Sequence, residues 1–246
     1  MAIPVPDLLE ARNLLCVQPH YDDNDIAAGG TLARLHALGA RITYVTVTDD
    51  LVGVLDPELS DEAATARLRA EQAEAAQHVG VDEQVWLGYP DAGRFELLDL
   101  RDDLIRVMRR VRPDFVLSCD PWLPYEAHHD HVRCGLATAQ AISLQGLRRL
   151  RLDPEPPFEP HAITALALYW THAPNATLDV SGHRDAKHRA LDCYRAQFRD
   201  EELALLHRAL EQRERAFARG LPYSHAEPFK VLRPFQLHCD PGAWRA

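Results

Sequence analysis

Leu14-Leu15-Cys16-Val17-Gln18-Pro19-His20-Tyr21-Asp22-Asp23-Asn24-Asp25 begins as an apolar, strand-type run and ends as a dense set of potential ligands. Residues 26–38 then carry apolar positions at helical spacing up to Gly39, so the unit reads as strand, loop, helix. The pattern repeats. A β-branched strand is expected at 42–48, a helix at 62–79 ending on Gly80, and a short strand at 85–87. A helix at 98–111 closed by Pro113, a strand at 115–118 and a helix at 131–150 follow. Strands alternating with helices predict an α/β fold with a doubly wound, mostly parallel sheet flanked by helices.

Residues 153–160 hold four prolines and are expected to form a surface connection. A fifth strand is expected at 163–171, mainly helix at 183–219, and a proline-rich irregular tail from Gly220. The organisation expected is one domain, with a core over about 10–180 and a C-terminal helical or irregular extension over about 181–246.

Among 246 residues the formal net charge is −10, which argues against nucleic acid or an anionic surface as partner. Pro4, Pro6, Asp7, Glu10 and Arg12 interrupt the first twenty residues, and no later stretch is apolar enough to span a bilayer, so no membrane insertion and a cytoplasmic location are expected. The five cysteines are widely spaced and form neither a disulfide framework nor a thiolate zinc site. The first strand-to-helix turn is acidic and lacks G-x-G-x-x-G, which excludes a dinucleotide-binding oxidoreductase.

In open α/β sheets ligands bind beyond the carboxyl ends of the strands. His20, Asp22, Asp23 and Asp25 occupy that edge after the first strand. Helix capping would need only one acid, whereas three acids repel one another unless a cation or proton is present. Asp120-Pro121-Trp122-Leu123-Pro124-Tyr125-Glu126-Ala127-His128-His129-Asp130-His131 follows the fourth strand at the same edge. With strands one and four adjacent, His20, Asp23 and His131 meet. Two imidazoles and one carboxylate match a catalytic zinc site with open positions, although a non-haem Fe2+ site uses the same donors. Asp22 is then the general base, His128 the oxyanion or leaving-group residue, and Asp130 the group that orients His128 or His131. Trp122 and Tyr125 are placed either to stack on a ring of the ligand or to pack under the loop.

These residues resemble the N-acetylglucosaminyl-phosphatidylinositol de-N-acetylase, or LmbE-like, family, with its H-P-D-D-E and H-x-D-H motifs. Here they read His20-Tyr21-Asp22-Asp23-Asn24 and His128-His129-Asp130-His131. Gly29-Gly30-Thr31, Thr46-Val47-Thr48-Asp49, Leu87-Gly88-Tyr89-Pro90-Asp91 and Lys187 to Gln197 extend the likeness over most of the chain. The resemblance implies a Rossmann-like fold, a divalent metal, usually Zn2+, and hydrolysis of an acetamide on a glucosamine-type sugar. It also implies the same ligands and base, Asp91 near substrate hydroxyls, and a homo-oligomer. Tyr21 and His129 replace prolines, Asn24 a glutamate and Leu68 an arginine, which leaves Arg67 or Arg69 as the substitute sugar contact. A non-catalytic carbohydrate-binding relative is the rival reading that these departures allow.

Overall fold

The computed structural model describes residues 4–153 and 158–245. The N-terminal half alternates β1 (Asn13–Gln18), α1 (Asp23–Ala37), β2 (Arg41–Thr48), α2 (Asp61–Val79), β3 (Glu83–Tyr89), α3 (Leu97–Val111), β4 (Phe115–Cys119) and α4 (His129–Leu144). Then come β5 (Ala165–Tyr169), β6 (Ala176–Asp179), α5 (Arg184–Leu191), α6 (Asp200–Phe217) and β7 (Ala226–Leu232). The strands form one sheet in the order β3-β2-β1-β4-β5-β7-β6, parallel except where β7 pairs antiparallel with β5 and β6. This is the doubly wound α/β arrangement expected. The order in which strands are added reverses at the parallel pair β1 and β4, which meet through Leu14↔Phe115, Leu15↔Val116 and Cys16↔Leu117.

Local chemistry sets the element ends. Ser60 Oγ accepts the Ala63 N–H at the start of α2, and Gly80 ends that helix at φ 84°. Helices α1, α2 and α5 pack together as one layer, while α3 packs with α4. The central strands are buried on both faces, so their side chains run apolar without alternation: Leu14 to Val17 of β1 and Ala165 to Leu168 of β5 are fully buried. Each large aliphatic side chain so enclosed contributes about 1.5–3 kcal/mol.

Three expectations need correction. Helix α4 ends at Leu144, short of residue 150, because the chain turns at Gln145 and Gly146. Strand β6 had no sequence signal, being only four residues long. The tail after Gly220 is not irregular, since β7 inserts between β5 and β6 despite Pro228 and Lys230, its pairing being supplied by the strands on either side. Of the connection expected at 153–160, residues 154–157 lie outside the described residues. Among the described residues, no helix is long and apolar enough to cross a membrane.

The C-terminal segment is also tied to the helix that starts at the ligand cluster. Lys187 Nζ on α5 donates to Glu214 Oε1 on α6 at 2.8 Å and to Glu227 Oε1 on β7 at 2.7 Å, all three side chains being buried. Glu227 in turn accepts the backbone N–H groups of Gly30 and Thr31 in α1 at 3.2 and 2.8 Å. Gly29 permits this approach, because a Cβ there would lie 2.9 Å from Lys187 Cγ. Lys187→Met would leave two carboxylates facing each other without their cation. The expected cost is about 3–5 kcal/mol, read as a lowered urea midpoint at unchanged m-value.

Candidate active site

The pairing of β1 with β4 brings the loops after both strands to one cleft of about 290 Å³, lined by His20, Asp22, Asp50, Val52, Gly53, Asp91, Ala92, His128, His131 and Gln197. Within it His20 Nδ1 lies 3.2 Å from Asp23 Oδ2 and 3.3 Å from His131 Nε2, and His131 Nε2 lies 3.7 Å from Asp23 Oδ1. Ligands about 2.0–2.1 Å from a tetrahedral zinc sit roughly 3.3 Å apart. The His20–Asp23 and His20–His131 separations are of that order, and Asp23 faces the two rings with different oxygens. His128 is close as well: His20, His128 and His131 offer donor atoms within 4.8 Å of one another, as do His20, Asp91, His128 and Asp130.

The outer nitrogens of both histidines face carboxylates. His20 Nε2 lies 3.4 Å from Asp91 Oδ1 and 3.8 Å from Asp130 Oδ2, and His131 Nδ1 lies 3.3 Å from Glu126 Oε2. Carboxylates at these distances favour a proton on the nitrogen that faces them, which leaves the other ring nitrogen for a metal. Trp170 stacks on the His131 ring at 5.2 Å between centroids.

Asp22 stands at the N-cap of α1, yet its side chain makes no capping hydrogen bond. The plain helix-capping account of this acid thus fails on geometry. Burial, then the charges of Asp23 and Asp50, hold the Asp22 carboxyl well above the usual range against the pull of His20. Asp23 is pushed up by burial, but its bond and charge contact with His20 leave it below the ordinary value. Burial would depress His20, and the carboxylates of Asp130, Asp23 and Asp91 overcome this to raise it far above a free imidazole. Burial and the neighbouring His20 and His131 lower His128, which is therefore neutral at pH 7.

Asp130 is fully buried. It accepts the Ala92 N–H at 2.8 Å and lies 3.2 Å from His129 Nε2 and 4.0 Å from His128 Nδ1, so it ties the loop after β3 to α4. Asp91 accepts the Val52 N–H at 2.9 Å through Oδ2 and turns Oδ1 to His20. Two expected substrate contacts lie outside the cleft lining. Arg69 is exposed and stacks over the Trp86 ring at 5.0 Å, and Tyr125, at φ 69°, projects its side chain fully into solvent. Leu68, in the family's arginine position, is a buried core residue.

Three residues of the site escaped the sequence reading. Glu126 contacts His131 and also accepts the His128 N–H at 2.8 Å; as the acid between the ligand histidines it carried a readable signal. Asp50 follows β2 at the ligand edge, and the sheet-edge rule could have found it. Gln197 arrives after α5 with no local pattern to announce it. Behind the loop, Asp25 is buried and accepts hydrogen bonds from Tyr44 Oη at 2.7 Å and from Tyr194 Oη. Burial raises its pKa to about 6 against both bonds. A buried carboxylate thus stands one position beyond Asn24, whose own side-chain polar atoms have no hydrogen-bond partner.

The family model described as GlcNAc-PI de-N-acetylase (PIG-L) matches residues 15–142. A diacetylchitobiose deacetylase of Thermococcus kodakarensis is 32% identical over 95% of this chain and 88% of its own length. A 1D-myo-inositol 2-acetamido-2-deoxy-alpha-D-glucopyranoside deacetylase of Saccharomonospora viridis is 31% identical over 75% of this chain and 84% of its own. Among solved structures, N,N'-diacetylchitobiose deacetylase from Pyrococcus horikoshii in complex with an inhibitor superposes with a TM-score of 0.86 at 30% identity, covering 94% of this chain and 88% of that one.

Glu126→Ala should weaken divalent-metal affinity by about 10–100-fold, measured by competition with a chromophoric chelator, without altering the fold. Asp25 yields a pH dependence. It titrates at about 6 in the folded protein and near 3.9 in an unfolded chain, so its stabilising contribution is complete below about pH 4 and is lost as pH rises through 6. Asp25→Asn cannot titrate and should gain roughly 2–3 kcal/mol on wild type between about pH 4 and pH 8. Urea titrations at the two pH values check the sign.

Proposed function

The chain belongs to the GlcNAc-PI de-N-acetylase (PIG-L) family, and from that premise we propose that it removes the N-acetyl group from a GlcNAc-type sugar or glycoside, with His20, Asp23 and His131 holding a divalent cation and Asp22 as general base. It is an amidohydrolase acting on a carbon–nitrogen bond other than a peptide bond. The observation that carries the residue assignment is the convergence of three donors at 3.2, 3.3 and 3.7 Å beside an Asp22 carboxylate committed to no cap. Zinc is the cation proposed, because two imidazoles, one carboxylate and open positions are its usual catalytic set. A degraded, purely binding pocket is not favoured, since every ligand and the base stand in the cleft or directly against it.

A bound cation of this kind supplies Lewis acidity toward the acetamide carbonyl and lowers the pKa of a ligated water from 15.7 to about 7. Asp22 takes a proton from the attacking water. Only its carboxylate form can do so, and burial makes that form depend on positive charge close by. The water oxygen bonds to the acyl carbon, the carbon–nitrogen bond breaks, and the proton taken up passes to the departing nitrogen, giving acetate and an amino sugar. His128 is neutral and partly exposed at the cleft. Its N–H donates to the carbonyl oxygen as negative charge gathers there, and the ring is placed to relay the proton to the amine. Asp91 accepts a sugar hydroxyl, while Glu126 and Asp130 keep the imidazoles oriented.

The test is metal analysis of purified protein with acetate release from a panel of N-acetylglucosaminides. Asp22→Asn should keep its metal while turnover falls about 10²–10⁴-fold, and His131→Ala should lose both. Equal metal loss in the two variants contradicts the division of roles between Asp22 and the ligands.

A further inference from the structure

Resting on the deacetylase reading, we infer that Asp50 is a specificity-determining residue that binds a hydroxyl of an uncharged glycoside and turns away anionic substituents. Asp50 is only 3% exposed, lines the cleft, and adopts a left-handed backbone at φ 58° that glycine would hold without strain. A side chain kept in such a conformation beside reacting groups points to use of its carboxylate. One oxygen is already fixed, since Oδ2 accepts the Tyr21 N–H at 2.9 Å. The motif that this loop resembles has proline at position 21, which has no N–H to give. Tyr21 and Asp50 therefore work as a pair that orients the carboxylate.

Oδ1 is turned toward Gly53. A Cβ built on Gly53 would lie 3.7 Å from Asp50 Oδ1 and 2.9 Å from Gln197 Nε2, so the two polar groups flank a gap that a side chain would close. The group that Gln197 turns to this gap is its Nε2, a donor, and the buried Oε1 of the same carboxamide has no hydrogen-bond partner. A carboxylate acceptor beside a carboxamide donor suits a sugar hydroxyl, which both gives and accepts a hydrogen bond. The lining also limits what the aglycone can carry: it contains no lysine or arginine, so away from the cation proposed at His20, Asp23 and His131 a carboxylate or phosphate would find no counter-ion.

Asp50→Asn separates this role from a structural one, because asparagine tolerates the left-handed region and can still accept the Tyr21 N–H. The probes are N,N'-diacetylchitobiose and a matched pair, para-carboxyphenyl N-acetylglucosaminide and its methyl ester. Wild type should favour the ester over the acid by at least about ten-fold in kcat/KM, and Asp50→Asn should narrow that gap. The variant should also raise KM for diacetylchitobiose about ten-fold, with a smaller change in kcat. Calorimetric binding of chitobiose should weaken by the same factor, a reading that needs no turnover. Asp50→Gly, which removes both oxygens and relieves the backbone, should show at least the loss seen for Asn. Unchanged KM and binding in Asp50→Asn overturns the inference, as does a fall in kcat alone, which assigns Asp50 to Asp22 instead. Wild type that binds chitobiose in an Asp50-dependent way yet deacetylates no probe overturns the deacetylase reading and leaves this one standing.

Discussion

The parallel pairing of β1 with β4 is the constraint from which the site follows. Leu14, Leu15 and Cys16 lie against Phe115, Val116 and Leu117, all essentially buried, so neither strand can slide without turning its core side chains to the wrong face. The loops leaving the two strands emerge side by side, and His20 and His131, 111 positions apart in the chain, come within 3.3 Å. The meeting of these two imidazoles is thus inherited from apolar packing that touches neither ring. Gly135 shows how tight the fit is: a Cβ there would sit 2.4 Å from the Cys119 carbonyl oxygen, so the helix carrying His131 rests directly on the end of β4.

Around this frame the polar groups are arranged in two shells with different costs. In the cleft, burial pushes the carboxyls of Asp22 and Asp50 up, with neighbouring carboxylates adding to it, while the carboxylates around His20 raise that imidazole against its burial. The outer groups accept backbone N–H groups while facing the imidazoles, Glu126 from its own loop, Asp130 from the loop after β3 and Asp91 from the loop after β2. A carboxylate that already accepts a backbone N–H cannot swing away, so the rings it faces keep one orientation. The Lys187 network does comparable work on the far side of α1, holding that helix to the C-terminal strand.

Much of this was legible in the sequence, and the reason is locality. Each ligand belongs to a short run with its own strand, loop and helix signals, and the sheet-edge rule then places both runs on one side of the sheet. Asp22, Asp23 and Asp25 are adjacent in sequence, and their crowding itself implied a cation. What stayed hidden depends on distant chain. β7 is a strand because β5 and β6 offer it hydrogen bonds, and Gln197 enters the cleft because α5 packs on α1 and α2. Arg69 and Tyr125 mislead for the converse reason. Their residue types suit sugar binding, but side-chain direction is set by packing, which sends one onto Trp86 and the other into solvent.

The different duties of two adjacent aspartates follow from where a helix begins. Asp23 is the first residue of α1, and its Oδ2 folds back to accept the His20 N–H at 2.9 Å. This clamp holds its carboxylate against the imidazole of the same residue and leaves Oδ1 facing His131. Asp22, one residue earlier, has φ −107° and ψ −12° and gives its carbonyl oxygen to the Ile26 N–H, so its backbone is engaged while its carboxylate is not. A ligand must be held still, whereas a base must exchange protons with whatever approaches. The start of one helix thus fixes the Asp23 carboxylate and leaves that of Asp22 without a capping bond, which suits the ligand and base roles proposed for them.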